Sequence, residues 1–215
     1  MVAATSATGK LLGVRPSYNV GLRRYLQRMQ AALRYDRGIL GAPSDRAKRR
    51  FLLSVFKERH HELLVESGTF QGGTVEYFVP HAKRIISVEI EPALHADARE
   101  RFRDTPAVEL LLGDAMDLIP QILEQVSVPP FVYLDGHFTG GVNLQPGKAV
   151  EPAPGILSAL GELSLPPGST LVVDDLRLFG RGDGFPALDE LTAAARQSLP
   201  AASIYVGIDC LVIAG

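Results

Sequence analysis

From residue 62 onward, short apolar runs and amphipathic stretches take turns, and this alternation constrains the fold more than any other feature of the chain. The runs at 62–67, 84–89, 108–112, 130–135, 170–174, 202–206 and 210–214 are rich in Leu, Val and Ile, as strands buried on both faces of a parallel sheet are. Helical stretches fall between them at about 73–80, 92–103, 115–125, 154–164 and 185–198. A helix after each of several strands implies an α/β architecture, a doubly wound parallel sheet with helices on both faces. The last two runs are separated only by Gly207-Ile208-Asp209. That is too short for a crossover, so they should close a seven-stranded sheet as a terminal antiparallel hairpin.

Two helices are expected ahead of the sheet. Leu22, Tyr25, Leu26, Met29, Ala32 and Leu33 recur at helical spacing, which predicts a helix over 19–36. Ser44 can cap a second, over about 44–60, with Ala47, Phe51, Leu52, Val55 and Phe56 as its buried stripe. This reading divides the chain into an N-terminal lid or dimerisation segment, 1–60, and a ligand-binding domain, 61–215. A homodimer is slightly favoured, because the stripes could meet across a two-fold axis.

Charge is distributed unevenly. Residues 1–60 carry 13 Lys and Arg against 3 Asp and Glu, and the rest of the chain carries 9 against 21. A basic arm raises the question of nucleic acid, but its charges lie along amphipathic helices without the aromatic platforms that stack bases. The single Cys210 forms no disulfide framework and points to a reducing compartment. Neither an 18-residue apolar run nor an apolar secretory leader is present, so a cytoplasmic protein without membrane attachment is expected.

The first strand runs directly into Glu66-Ser67-Gly68-Thr69-Phe70-Gln71-Gly72-Gly73-Thr74. A strand, a glycine-rich turn and a helix are how α/β proteins receive nucleotide-like ligands, because residues without Cβ let backbone amides come close. The spacing G-x-x-x-G-G is not the dinucleotide fingerprint, whose middle glycine admits a pyrophosphate. An adenosine ligand without phosphates fits better, with Gly68 and Gly72 as contact candidates.

Taken together, the turn, the strand count and the hairpin resemble the Rossmann-like class I S-adenosylmethionine-dependent methyltransferases over about residues 60–215. Glu66, Gly68, Gly72 and Gly73 match that family's first motif, with Thr69 and Thr74 in the same turn. Glu89, ending Ile85-Ile86-Ser87-Val88-Glu89, matches the acidic residue that accepts hydrogen bonds from the ribose hydroxyls. Gly113-Asp114-Ala115 matches the third motif, which addresses the adenine. Taken singly, Glu89 and Asp114 also read as helix caps.

Two further strand ends carry the chemistry. Phe131-Val132-Tyr133-Leu134-Asp135-Gly136-His137 closes one strand and Leu171-Val172-Val173-Asp174-Asp175 the next. Adjacent strands would bring Asp135, Asp174 and Asp175 together beside the methyl donor. Three carboxylates converge only if protonated or bridged by a cation, and hard oxygen ligands suit Mg²⁺ or another divalent cation. The pattern resembles metal-dependent sugar O-methyltransferases of the macrocin type, more narrowly those of methylmannose polysaccharide synthesis, and more distantly catechol O-methyltransferase. This resemblance implies metal ligation by Asp135, Asp174 and Asp175, with Asp135 also beside the donor. His137 stands where that family has a second Asp, so it is the candidate base: a neutral imidazole can take the acceptor's proton. His60, His61, His81 and His95 have no such context and read as surface or helix residues.

The long connection 136–153 should close over the acceptor, with Thr139, Asn143 and Gln145 as sugar contacts, and Arg177 and Arg181 opposite. The leading expectation is Mg²⁺-dependent methyl transfer to a hydroxyl of a small acceptor, most favourably a sugar or oligosaccharide. Three alternatives stand beside it: a catechol-like acceptor, a nucleic acid acceptor, and a donor-binding protein without catalysis. The absence of Trp leans against the catechol, and the absence of an Asn-Pro-Pro-Tyr motif against nucleic acid.

Overall fold

The computed structural model describes residues 42–138, 147–181 and 184–215. The chain divides into two compact units, Met1–Ser44 and Asp45–Gly215, and the second contains the sheet. The predicted helix 19–36 lies outside the described residues. In chain order the second unit runs α1 (Asp45–Glu58), β1 (Leu63–Ser67), α2 (Gly73–Phe78), β2 (Arg84–Glu89), α3 (Pro92–Phe102), β3 (Val108–Leu112) and α4 (Ala115–Glu124). It continues with β4 (Pro130–Leu134), α5 (Ala153–Leu160), β5 (Thr170–Val173), a 3₁₀ turn at Leu176–Leu178, α6 (Leu188–Ser198), β6 (Ser203–Gly207) and β7 (Cys210–Ala214). None of the helices among the described residues is long and apolar enough to cross a membrane.

The sheet has seven strands in the order β3-β2-β1-β4-β5-β7-β6, a Rossmann-like α/β arrangement. Strands β1 to β5 pair in parallel, and β7 is antiparallel to both β5 and β6. The predicted hairpin is therefore present. Ile208 and Asp209, between its strands, both adopt positive φ, 44° and 64°, as a two-residue type I′ turn requires.

Side chains alternate across this sheet and sort into two cores. Leu63, Val65, Val132, Leu134, Leu171 and Val173 face one side, against α4, α5 and α6. Leu64, Phe131, Tyr133, Val172 and Val212 face the other, against α1, α2 and α3. The chain order reverses between β1 and β4, so a crevice is expected at their carboxyl ends.

Helix α1 belongs to the second core. Leu52, Val55 and Phe56 are buried there, and Phe56 makes edge contacts with Phe78 and Phe131 at centroid distances of 5.3 and 5.6 Å. An N-terminal segment ending at residue 60 would leave this helix outside the domain. Its apolar stripe instead packs on the sheet of its own unit. His61 is likewise buried and not a surface residue. Its Nδ1 lies 3.1 Å from the Pro129 carbonyl and its Nε2 2.9 Å from Thr170 Oγ1, tying the start of β4 to that of β5. Burial holds its imidazole below the usual range, consistent with one nitrogen donating to the carbonyl and the other accepting from the hydroxyl.

The turn after β1 is packed tightly against its own chain. Gly68 has φ +85°, and a Cβ there would lie 2.5 Å from the Asp135 carbonyl oxygen. Gly180 also has positive φ, +73°, but faces open space. We therefore expect Gly180→Ala to cost about 1 kcal/mol, the strain of a left-handed alanine alone. Gly68→Ala should cost at least about twice that, since backbone must move as well. Urea-unfolding midpoints of the two variants measure the difference, and equal losses would contradict it.

Candidate functional site

Among the described residues, the expected turn, acidic and imidazole groups lie at or just beyond the carboxyl ends of β1 to β5. Gly68 and Gly72 sit in the turn between β1 and α2, both with positive φ. Their Cβ directions face the protein: the Asp135 backbone for Gly68, the Phe102 ring at 2.6 Å for Gly72 and the Arg49 guanidinium at 2.5 Å for Gly73. Close intramolecular packing and positive φ thus require Gly68 and Gly72, whereas at Gly73 the flexible end of Arg49 could give way. Thr69 turns inward, its hydroxyl 2.6 Å from Ser87 Oγ, and Ser87 donates to Glu66 Oε2 at 2.7 Å. Glu66 is 1% exposed. Burial pushes its carboxyl up to about 8, against the opposing pull of Ser87, Arg49 and Thr74.

Glu89 fastens the turn. Its Oε2 accepts from Phe70 N at 2.7 Å and its Oε1 from Glu91 N at 2.9 Å. Each oxygen keeps a lone pair, so the carboxylate can still accept from a vicinal diol. Phe70 and Ile90, 59% and 38% exposed, set apolar surface beside it. That combination, a diol acceptor flanked by exposed apolar side chains, is what an adenosine group needs. Asp114 caps α4, which starts at Ala115, by accepting from Met116 N at 2.8 Å, and its other oxygen accepts from Lys148 N at 2.8 Å. Its carboxylate is held by the backbone, so any ligand contact here falls to its remaining lone pairs and the Ala115 amide.

The structure brings Asp135, His137, Asp174 and Asp175 together at the ends of β4 and β5. Successive residues of a strand point to opposite faces, yet both Asp174 and Asp175 reach one centre. Asp175 adopts φ +52°, a left-handed conformation that Asp tolerates, and this returns its side chain to the side of its neighbour. Between them lies a residue the sequence reading passed over. Lys48 Nζ is 2.8 Å from Asp174 Oδ2 and also pairs with Asp175 Oδ1. Burial alone would lower the ammonium's pKa, but the two carboxylates raise it well above its usual range.

Asp174 is fully engaged. Its Oδ1 accepts from Asp175 N at 2.6 Å and from the Cys210 thiol at 3.4 Å, and its Oδ2 accepts from Lys48 and, at 2.5 Å, from Tyr133 Oη. Tyr133 also lies 3.1 Å from Asp135 Oδ2. A single hydroxyl proton can serve only one of these acids at a time, and a proton on Asp135 would satisfy the other contact. Burial and the charge of Asp174 do push the Asp135 carboxyl well above the usual carboxylate range, Lys48 opposing. Burial would also raise Asp175, but Lys48 and Arg177 outweigh it and hold that carboxyl below the ordinary value. Arg177 donates to Asp175 Oδ1 at 2.6 Å and pairs with Asp209 in the hairpin turn.

His137 stands between two of these acids, Nδ1 3.7 Å from Asp135 Oδ1 and Nε2 3.5 Å from Asp175 Oδ2, its ring against Phe185. Burial lowers its pKa despite the neighbouring carboxylates, leaving a neutral imidazole that can take up a proton.

The expected metal set does not fit these residues. A carboxylate offers about four lone-pair positions, and those of Asp174 are taken by four protein donors. Ligand atoms within 4.8 Å of one another occur in two other groups among the described residues, Asp135-His137-Asp175 and Asp174-Asp175-Asp209. Neither unites Asp135, Asp174 and Asp175.

Sequence reasoning missed Lys48, Tyr133, Arg177 as an ion-pair partner, and Glu151. Glu151 accepts from Ala153 N at 2.8 Å, and burial pushes its carboxyl up to about 7. A signal for Lys48 was present: it lies four residues before Leu52, on the helix face that α1 buries. Thr139, Asn143 and Gln145 lie outside the described residues.

No family model and no curated protein matches the chain. Solved structures do match. The chain is similar to an amino pentose methyltransferase of calicheamicin biosynthesis from Micromonospora echinaspora at 15% identity and a TM-score of 0.58, over 94% of this chain and 99% of that one. A SAH-bound methyltransferase from Podospora anserina matches at 15% identity and 0.53, over 95% and 98%. An O-methyltransferase from Bacillus cereus in complex with SAH matches at 15% and 0.52, over 94% of each chain. At these identities the likeness is one of fold.

The buried Glu66 generates a pH prediction. Its carboxyl is raised from 4.5 to about 8, so the folded protein holds a proton that the unfolded chain has released. The stability this confers is fully present below pH 4.5 and is lost as pH rises through about 8. Relative to Glu66→Gln, whose amide does not titrate, the native protein should lose stability on the order of a few kcal/mol between pH 5 and pH 9. Thermal unfolding of both proteins across that range checks it, and parallel curves would contradict it.

Proposed function

We propose that the chain transfers a methyl group from S-adenosylmethionine to a hydroxyl oxygen of a small acceptor, with a sugar hydroxyl as the acceptor class. The observation that supports this reading most is the placement of two distinct chemistries on one sheet edge. A diol-accepting Glu89 flanked by Phe70 and Ile90 lies beyond β2, and a neutral His137 held among carboxylates lies beyond β4, on the opposite side of the turn after β1. The fold shared with proteins solved with SAH agrees with that placement.

When bound, the sulfonium donor supplies an electrophilic methyl carbon. On this reading Glu89 holds the ribose, and the Gly68–Thr74 turn with Asp114, Ala115 and Asp135 surrounds the rest of the donor. His137 accepts the acceptor's hydroxyl proton as the new carbon–oxygen bond forms and the carbon–sulfur bond breaks. Asp175, 3.5 Å from Nε2, stabilises the resulting imidazolium. On this reading the proton path runs through protein groups, the lone pairs of Asp174 being taken up by Lys48, Tyr133, Cys210 and the Asp175 amide. A sugar is favoured over a catechol because Asp135-Gly136 and Asp174-Asp175 resemble the motifs of sugar O-methyltransferases, with His137 standing where that family has its second Asp.

Calorimetry with S-adenosylhomocysteine tests the donor site: saturable binding is expected, weakened at least about tenfold by Glu89→Ala, whose loss removes charge-assisted hydrogen bonds. Label from methyl-labelled S-adenosylmethionine, offered with pooled sugars and pooled phenols, should appear in the sugars. His137→Ala should bind donor normally while losing about 10²- to 10⁴-fold in turnover. No donor binding would overturn the reading, and label in the phenols would reassign the acceptor.

A further inference from the structure

We propose that Lys48 is the permanent cation of this centre, standing where a metal would have to bridge Asp174 and Asp175 and keeping divalent ions out. The inference rests on the methyl-transfer reading for its catalytic meaning, and on geometry alone for its existence.

Three observations carry it. The first is position: Nζ contacts one oxygen of each acid, Asp174 Oδ2 and Asp175 Oδ1, which is how a bridging ion would lie. The second is saturation. Asp174 accepts from Lys48, Tyr133, Cys210 and the Asp175 amide, so a metal could bind it only by evicting protein donors. The third is anchorage. Lys48 projects from α1, whose Leu52, Val55 and Phe56 are fixed in the core, and its own side chain is only 13% exposed. Evicting it would strand an ammonium beside the second core, where an uncompensated charge is strongly disfavoured.

Charge complementarity agrees. Asp174, Asp175 and Asp209 face Lys48 and Arg177, and Asp135 and Tyr133 share protons with the cluster. A doubly charged ion would add to cations already in place. Lys48 is thus a positioning residue. It keeps Asp174 and Asp175 side by side, leaving Asp175 Oδ2 and Asp135 Oδ1 directed at the two nitrogens of His137.

The test is uptake of Mn²⁺ measured by calorimetry on the intact chain, in parallel with S-adenosylhomocysteine binding in excess chelator. Wild type and Lys48→Arg should show no Mn²⁺ binding below about millimolar concentration. Lys48→Met, which keeps the stem and removes the charge, should leave the two acids unpaired and gain at least about tenfold in Mn²⁺ affinity. A purely structural lysine would not produce that gain. Should Lys48→Met fail to fold without metal, recovery of its circular dichroism on adding Mn²⁺ supports the proposal and failure to recover overturns it. Micromolar Mn²⁺ binding by the wild type, or a folded Lys48→Met with no gain, also overturns it. A wild type that excludes Mn²⁺ but binds no S-adenosylhomocysteine upholds Lys48 as the resident cation and removes the methyl-transfer reading instead.

Discussion

The structure depends on one electrostatic problem, the convergence of four acidic side chains, Asp135, Asp174, Asp175 and Asp209, at the carboxyl ends of β4, β5 and the terminal hairpin. Like charges this close must be neutralised by protons or by cations. Both devices operate here. Asp135 is driven towards its protonated form, while Lys48 pairs with Asp174 and Asp175, and Arg177 with Asp175 and Asp209. The division fits the work assigned to the centre: an imidazole stays neutral next to a protonated acid and gains an anionic partner on its other side when it takes a proton.

Position in the fold explains why the problem arises. Strand order reverses between β1 and β4, and an open α/β sheet leaves its crevice at such a reversal. Glu89 and the turn it fastens lie to one side, and the acid cluster to the other. The two meet at Gly68, whose missing side chain lets the turn press against the backbone of Asp135. A residue with Cβ there would push the halves of the site apart.

Much of this was legible in the sequence because it is local. Strand positions, the hairpin and the ends of β4 and β5 follow from apolar runs and their punctuation, and the acids follow from where the runs stop. That three converging acids need a cation or protons follows from the residue types alone. What the sequence could not supply was the source of the cation, because Lys48 is remote from Asp174 in the chain and reaches it only when α1 packs on the sheet. Strand packing likewise explains His61, which reads as a surface or helix residue until β4 and β5 are set side by side. Asp175 is a different case: its left-handed backbone has no signature in a run of two aspartates, yet it decides that both carboxylates share one face.

The hairpin turn gains a meaning beyond closing the sheet. Asp209 accepts from the Arg177 amide and pairs with its guanidinium, and the same guanidinium grips Asp175. A reversal imposed on Ile208 and Asp209 by the geometry of an antiparallel edge is therefore wired, through one arginine, to the acid beside His137. On the proposed reading, drift in the terminal hairpin would be felt as misalignment of a proton acceptor, and the hairpin would brace the chemistry as well as close the sheet.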